Sequence, residues 1–222
     1  MITKDILNFL KALKGNNNRE WFEENRAWYE KSKQDFSEFV ELLIHEVRNI
    51  DPEIGILAPK DCMFRIYRDV RFSKDKSPYK TNFGAYISRG GKKLNFAGYY
   101  FHMEPGEYFL SGGVYMPQGP VLKAIRQEIF HRIDEFNAIL NAPSFKKHFK
   151  GLAEMEKMKT APKDFPKDFP YLDLLKHKHY TVMMNISEKQ LTQSNLLAVA
   201  SDTYKAILPL NHFLNNVIED VL

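Results

Sequence analysis

The spacing of apolar positions changes period twice along the chain. Over residues 3–13, Ile6, Phe9, Leu10 and Leu13 form one stripe at helical spacing, with Thr3 as N-cap and Gly15 as the stop. The run Asn16-Asn17-Asn18 is a turn, and Asn17 with Glu20 reads as a capping box for a second helix. Trp21, Trp28, Tyr29, Phe36, Phe39, Val40, Leu43, Ile44 and Val47 hold the 3.6-residue period nearly to Ile50, where Asp51-Pro52 ends it. From Cys62 the period falls to two. This predicts strands over 62–72, 82–89, 94–104 and 107–115, with Arg89-Gly90-Gly91-Lys92 and Pro105-Gly106 as the last two hairpin turns. Connections that short force antiparallel neighbours, hence a meander whose open face is left for helices.

Helical spacing returns at Leu122, Ile125, Ile129, Ile133 and Phe136, introduced by Pro117, Gly119 and Pro120. Pro162, Pro166 and Pro170 among lysines and aspartates predict an irregular surface loop, and His179 to Ile186 a fifth strand. Ile186-Ser187-x-x-Gln190-Leu191 combines a capping box with a hydrophobic staple and opens a helix to about Ile207; Pro209 starts a last one on Leu210, Phe213, Leu214 and Val217. No composition shift marks a linker. The expectation is one α+β domain over 1–222, with helices at 3–50, sheet at 62–115, helix at 117–140, irregular loop at 151–178, strand at 179–186 and helices at 187–222. Its core is a single antiparallel meander sheet of about five strands, packed against the N-terminal and C-terminal helices.

Composition adds limits rather than detail. Apolar residues at 44% supply a real core, and 32 basic against 28 acidic residues give a net charge of +4, which matters only if the charge is clustered. The single cysteine, Cys62, excludes an internal disulfide framework and fits a reducing compartment; its apolar setting predicts a buried structural thiol rather than a nucleophile. The Met-Ile-Thr-Lys-Asp start lacks a signal-peptide pattern, and no apolar run is long enough to span a bilayer, so a cytoplasmic protein without a membrane partner is expected. The Trp21 and Trp28 cluster reads as core, with ligand stacking as the alternative.

The charge is clustered. Arg65, Arg68, Arg71, Lys74, Lys76 and Lys80 fall between Phe64 and Thr81, interleaved with Tyr67 and Tyr79. Arginine forks bind phosphate or carboxylate bidentately, lysines add mobile charge, and tyrosine hydroxyls add donors. The alternative is a solvated strand face on which Arg65 and Arg71 both pair with Asp69. Arg68 is out of phase: it falls on the face of Phe64, Ile66, Val70 and Phe72, where a buried guanidinium needs an acceptor.

A second constellation is Tyr100, His102 and Glu104, which share a face if 94–104 is a strand. The His-x-Glu pair suits acid–base work or supplies two metal ligands, but a third ligand must come from elsewhere, and neither His177 nor His179 lies at a spacing that identifies it. The alternative is a hydrogen-bonded histidine near the sheet edge. Gly112-Gly113 ahead of a helix can offer backbone N–H groups to an anion or serve only as a tight turn. Lys176-His177-Lys178-His179 either extends the positive surface or is a solvated patch.

At these residues the chain resembles a family of uncharacterised bacterial and fungal proteins known only as a conserved domain of unknown function. The motifs are Asn18-Arg19-Glu20-Trp21-Phe22, the block from Phe64 to Thr81, Gly98-Tyr99-Tyr100-Phe101-His102 with Glu104-Pro105-Gly106, Gly112-Gly113 with Pro117 and Arg126, Ala161-Pro162-Lys163, and Leu174-Leu175-Lys176-His177-Lys178. The likeness covers nearly the whole chain and adds Arg126 to the candidate cations. It implies no activity and no cofactor. The family pattern has a glycine after the lysine at Lys163 and a histidine at Phe169; this chain has Asp164 and Phe169 instead.

The leading expectation is therefore a protein that binds a phosphate-bearing or other anionic small ligand through Arg65, Tyr67, Arg68, Arg71, Lys74, Lys76, Tyr79, Lys80 and Arg126, with His102 and Glu104 as acid–base groups. The alternatives are a nucleic-acid module using the same cations with Tyr67, Tyr79 or Tyr99 for stacking, and a structural or partner-binding protein without a ligand site. The mixed signs of Glu23, Glu24, Asp35, Glu38, Glu41 and Glu46 outside the block favour a compact pocket over a long positive track. No cofactor, metal, reaction or oligomeric state is specified by these patterns.

Overall fold

The computed structural model describes residues 2–221. Three helices lead: α1 (Lys4–Gly15), α2 (Arg19–Glu24) and α3 (Arg26–Ile50), then a short α4 (Pro59–Cys62). The sheet follows with β1 (Phe83–Ile87), β2 (Gly98–Glu104) and β3 (Glu107–Val114). Next come α5 (Gly119–His131), α6 (Ile133–Asn141), α7 (Pro143–His148) and α8 (Leu172–Leu175), then β4 (Tyr180–Asn185), α9 (Glu188–Leu191) and α10 (Leu196–Glu219). The strands form one antiparallel sheet in the order β1-β2-β3-β4. This is an α+β fold.

Period-two alternation decides which face is buried. Tyr99, Phe101 and Met103 of β2, Ala85 and Ile87 of β1, and Tyr108 and Leu110 of β3 are all buried on one side. Phe36 and Phe39 of α3 close on Phe101, at 6.1 and 4.8 Å between ring centroids, and Tyr204 of α10 closes on Tyr99 at 5.2 Å. The two long helices thus cover one face. Trp21 and Trp28 pack on Phe9 of α1, which supports the core reading of those aromatics. The opposite face carries Tyr100, His102 and Glu104 beside Phe109 and Met183, and is only partly covered.

The sheet has four strands rather than five, because the predicted strand at 62–72 does not form. Cys62 ends α4, Met63 makes one bridge to Ala85, and beyond Phe64 the chain turns off the β1 edge. Only Ile66 of the expected apolar row is buried, while Phe72 is 96% exposed. Beyond Phe64 the backbone of the segment pairs only with residues 78–80, at Ile66 and Arg68, so most of its alternating row has no surface to pack on. Helix boundaries also differ: the reading to Ile50 is split at Asn25 into α2 and α3, and the helix at 117–140 at Arg132 into α5 and α6. Asn18, not Asn17, caps α2, through a 2.9 Å bond from the Trp21 N–H, and Pro209 lies inside the continuous α10. The Ser187 capping box forms as read, but the helix it opens, α9, ends at Leu191 instead of running to about Ile207, and α10 begins afresh at Leu196.

Cys62 is fully buried, and burial pushes its thiol up to about 12. We expect no reaction with a disulfide reagent at pH 8 until the protein is unfolded; prompt labelling of the native chain would contradict this placement.

Candidate functional site

The block from Phe64 to Thr81 folds as an arm. Phe64 N–H bonds to the Gly84 carbonyl of β1 at 3.1 Å; then Lys80 N–H reaches the Ile66 carbonyl at 2.7 Å and Arg68 N–H the Pro78 carbonyl at 3.0 Å. Tyr67 and Tyr79 face each other across this short ladder. Two plugs hold the arm down. Ile66 is buried, and the Tyr79 ring stacks on Phe22 with centroids 3.9 Å apart and planes 14° off parallel. Asn17 completes the anchor: its Oδ1 accepts from the Tyr79 N–H at 3.1 Å and its Nδ2 donates to the Tyr79 carbonyl at 2.9 Å. A single amide side chain satisfies both backbone groups of a buried residue.

The cations of the arm separate into two sets. At its tip, Arg71 grips Asp69 through Nε at 2.9 Å and Nη2 at 2.6 Å, and Arg68 binds Asp75 and the Ser77 carbonyl. Hydrogen bonds from the Ser77 hydroxyl and N–H, together with Arg68, hold the Asp75 carboxyl well below the usual carboxylate range. Lys76 donates to the Val70 carbonyl, and Lys74 is exposed. Arg68 is therefore not in the interior, as the alternation had placed it. Its side chain is 25% exposed and its charge is met locally.

At the base, Arg65, Tyr67 and Lys80 line an open groove of 1130 Å³ between the arm, α3 and the turn after β1. Lys60, Lys92 and Lys93 join them there, while Lys31 and Lys33 on the same rim are paired with Asp35 and Glu30. Among the described residues, Lys60, Arg65, Lys80, Lys92 and Lys93 have no acidic partner. The floor is Met63, Phe64 and Tyr67, with the Lys80 ammonium 5.4 Å from the Phe64 ring centroid. Burial and the neighbouring Arg65 charge push the Lys80 pKa down.

Behind Phe64 lies the second constellation. The Phe64 ring meets Tyr100 edge-on at 6.2 Å, and the Tyr100 hydroxyl is 2.9 Å from His102 Nδ1. Glu104 Oε1 accepts from the Thr81 hydroxyl at 2.7 Å and from Lys14 at 3.3 Å. His102 Nε2 stands 3.9 Å from Glu104 Oε2, beyond hydrogen-bond reach. Burial lowers the His102 pKa, so the ring is neutral at pH 7. Neither His102 nor Glu104 lines the groove.

Arg126 of α5 lies elsewhere. It is buried and donates to the His177 carbonyl at 2.9 Å and to the Met158 sulfur. His177 precedes β4, whereas the arm leaves from beside β1, so the two lie at opposite edges of the sheet. His179 Nδ1 accepts the Met116 N–H at 3.0 Å, which requires an unprotonated nitrogen; burial lowers its pKa accordingly. Gly112 and Gly113 are packing positions. A Cβ on Gly113, at φ +104°, would lie 2.0 Å from the Tyr180 carbonyl oxygen of β4.

Sequence reasoning did not find Lys60, Lys92 or Lys93 as groove residues, nor Asn17 as the anchor of the arm. The only trace of the lysines is a pair behind Gly90-Gly91, because their meeting with Arg65 depends on three distant segments folding together.

Fold and site define an α+β protein with an uncompensated cationic groove at one edge of its sheet. The family model for the conserved hypothetical protein family DUF2461 matches residues 5–213, and the chain belongs to that family. No curated protein and no solved structure matches it. No helix of the described residues is long and apolar enough to cross a membrane.

Proposed function

We propose that the protein binds a phosphate-bearing small ligand in the groove at the base of the arm. The anionic group meets Arg65, Lys80 and the lysines at 60, 92 and 93, and an apolar or aromatic portion lies on Phe64 and Tyr67. The observation that carries this reading is the set of cations without acidic partners around one aromatic floor. On the same rim Lys31 and Lys33 are paired with Asp35 and Glu30, so the cations left without acidic partners are the ones gathered over the aromatic floor. Clustered like charges repel, and the Lys80 pKa is lowered first by burial and then by the Arg65 charge beside it. A fold keeps such a cluster at some cost to stability, and a bound anion offsets it.

Thermal denaturation with a panel of nucleotides and sugar phosphates tests the proposal. At about 100-fold saturation a ligand stabilises by roughly 2.7 kcal/mol. We expect Arg65→Ala to leave the ligand-free protein as stable as before or more so, and to remove the ligand-induced shift. The same shift in wild type and in Arg65→Ala would take the groove out of consideration. Tight oligonucleotide binding that survives physiological salt would instead favour nucleic acid, since phosphate contacts each contribute about −0.7 to −0.9 to the log–log salt slope.

A further inference from the structure

The geometry points to a divalent transition-metal site on the open face of the sheet, formed by His102, Glu104 and Glu107. It lies on the far side of Phe64 from the groove and does not depend on the groove's function. The ligand atoms of the three side chains all fall within 4.8 Å of one another. His102 and Glu104 share a face because they are two residues apart on β2, and Glu107 is brought across by the turn at Pro105-Gly106, where Glu104 and Glu107 are register partners. The hairpin turn thus supplies the third ligand that spacing along β2 cannot.

The imidazole is set for coordination before any ion arrives. Phe109 stacks on it with centroids 4.5 Å apart and planes 12° off parallel, which fixes the ring plane. The Tyr100 hydroxyl holds Nδ1 at 2.9 Å, and Gly84 opposite gives that hydroxyl its room: a Cβ there would lie 2.5 Å from the Tyr100 oxygen. Nε2 is left buried without a hydrogen-bond partner. If Nε2 carries the proton, a buried donor is unsatisfied; if Nδ1 carries it and donates to Tyr100, a bare lone pair faces carboxylates. Either arrangement is costly, and a cation among the three groups resolves the second.

The carboxylates tell the same story. Thr81 and Lys14 occupy Glu104 Oε1 and leave Oε2 turned to His102, the outer hydrogen bonding that orients a ligating carboxylate. The Glu107 side chain makes no hydrogen bond or ion pair among the described residues and sits opposite Glu104, whose charge Lys14 meets only at Oε1. Metal–ligand bonds of about 2.0–2.2 Å need ligand atoms roughly 3–3.5 Å apart, so the groups close by about 1 Å, mostly through the exposed Glu107. One imidazole and two carboxylates suit zinc or a neighbouring divalent ion; magnesium and calcium prefer oxygen alone. A second cluster, Asp51, Glu53 and His212, is already engaged: Asp51 accepts from Tyr99 and the Glu53 N–H, and Glu53 is bound to Arg89.

Calorimetric titration of the full chain with zinc, in excess magnesium, tests the site. We expect one ion per chain and an affinity reduced at least tenfold in Glu107→Gln, a surface change that spares the fold, with a similar loss in Glu104→Gln. Glu53→Gln should bind as wild type. In a nitrogen NMR spectrum, zinc should shift His102 Nε2 and leave Nδ1 protonated. No stoichiometric binding by the native chain would overturn the proposal, as would binding that Glu107→Gln and Glu104→Gln leave unchanged.

Discussion

Tyr79→Ala is expected to cost about 3–5 kcal/mol of stability, the range for removing a large buried aromatic. The ring is 4% exposed and stacked on Phe22, so truncation opens a cavity between α2 and the arm. The same change loosens what Asn17 holds, because its amide bonds to the Tyr79 backbone depend on that residue staying seated. With the anchor gone, Arg65 and Lys80 lose their fixed place on the groove rim. Urea denaturation should show the stability loss, and any ligand-induced thermal shift should weaken with it. Tyr79→Phe separates packing from chemistry, since no hydrogen bond of the Tyr79 hydroxyl is present among the described residues. We expect the phenylalanine variant to keep both stability, within about 1 kcal/mol, and ligand response. A variant that folds normally but no longer responds to ligand would place that hydroxyl in the site.

The contrast between Tyr79 and Phe72 shows what the sequence makes legible. The sequence reads Phe72 as a buried strand residue and Tyr79 as an exposed ligand contact, yet Tyr79 is the buried anchor of the arm and Phe72 is 96% exposed. Periodicity reports which residues can share a face, not whether the face meets anything. Where a partner surface is large, as under α3 and α10, alternation locates Phe101, Tyr99 and Leu110 correctly and the meander follows. Where the arm pairs only with itself, alternation overreaches: it predicts a strand over 62–72 and an interior Arg68. The site divides the same way. Local groups such as Tyr100, His102 and Glu104 are readable because two-residue spacing fixes their common face. The groove is not, because Lys60, Arg65 and Lys92 meet only when α4, the arm and the turn after β1 come together. Glu107 lies between these cases: its meeting with Glu104 follows from the hairpin turn, but register decides which residues face across it.

Gly113→Ala is expected to be still more damaging than loss of Tyr79. Gly113 lies at φ +104°, where a side chain is strained, and its pro-Cβ position is 2.0 Å from the Tyr180 carbonyl oxygen and 2.9 Å from the Thr181 Cα. These are backbone atoms of the paired strand, not the ends of flexible side chains, so β3 and β4 would have to part. Gly113 pairs with both Gly98 and Thr181, and the Tyr86 hydroxyl donates to its carbonyl at 2.9 Å, so a shift there spreads across the whole sheet. We expect a loss of more than about 4 kcal/mol, seen as aggregation on expression or a much lower unfolding midpoint. The other use read for this glycine pair, presentation of N–H groups to an anion, predicts a stable variant with altered ligand response. Circular dichroism of Gly113→Ala at 25 °C decides between them: a native spectrum with a near-wild-type midpoint would show that the close approach of β3 and β4 is not what requires glycine.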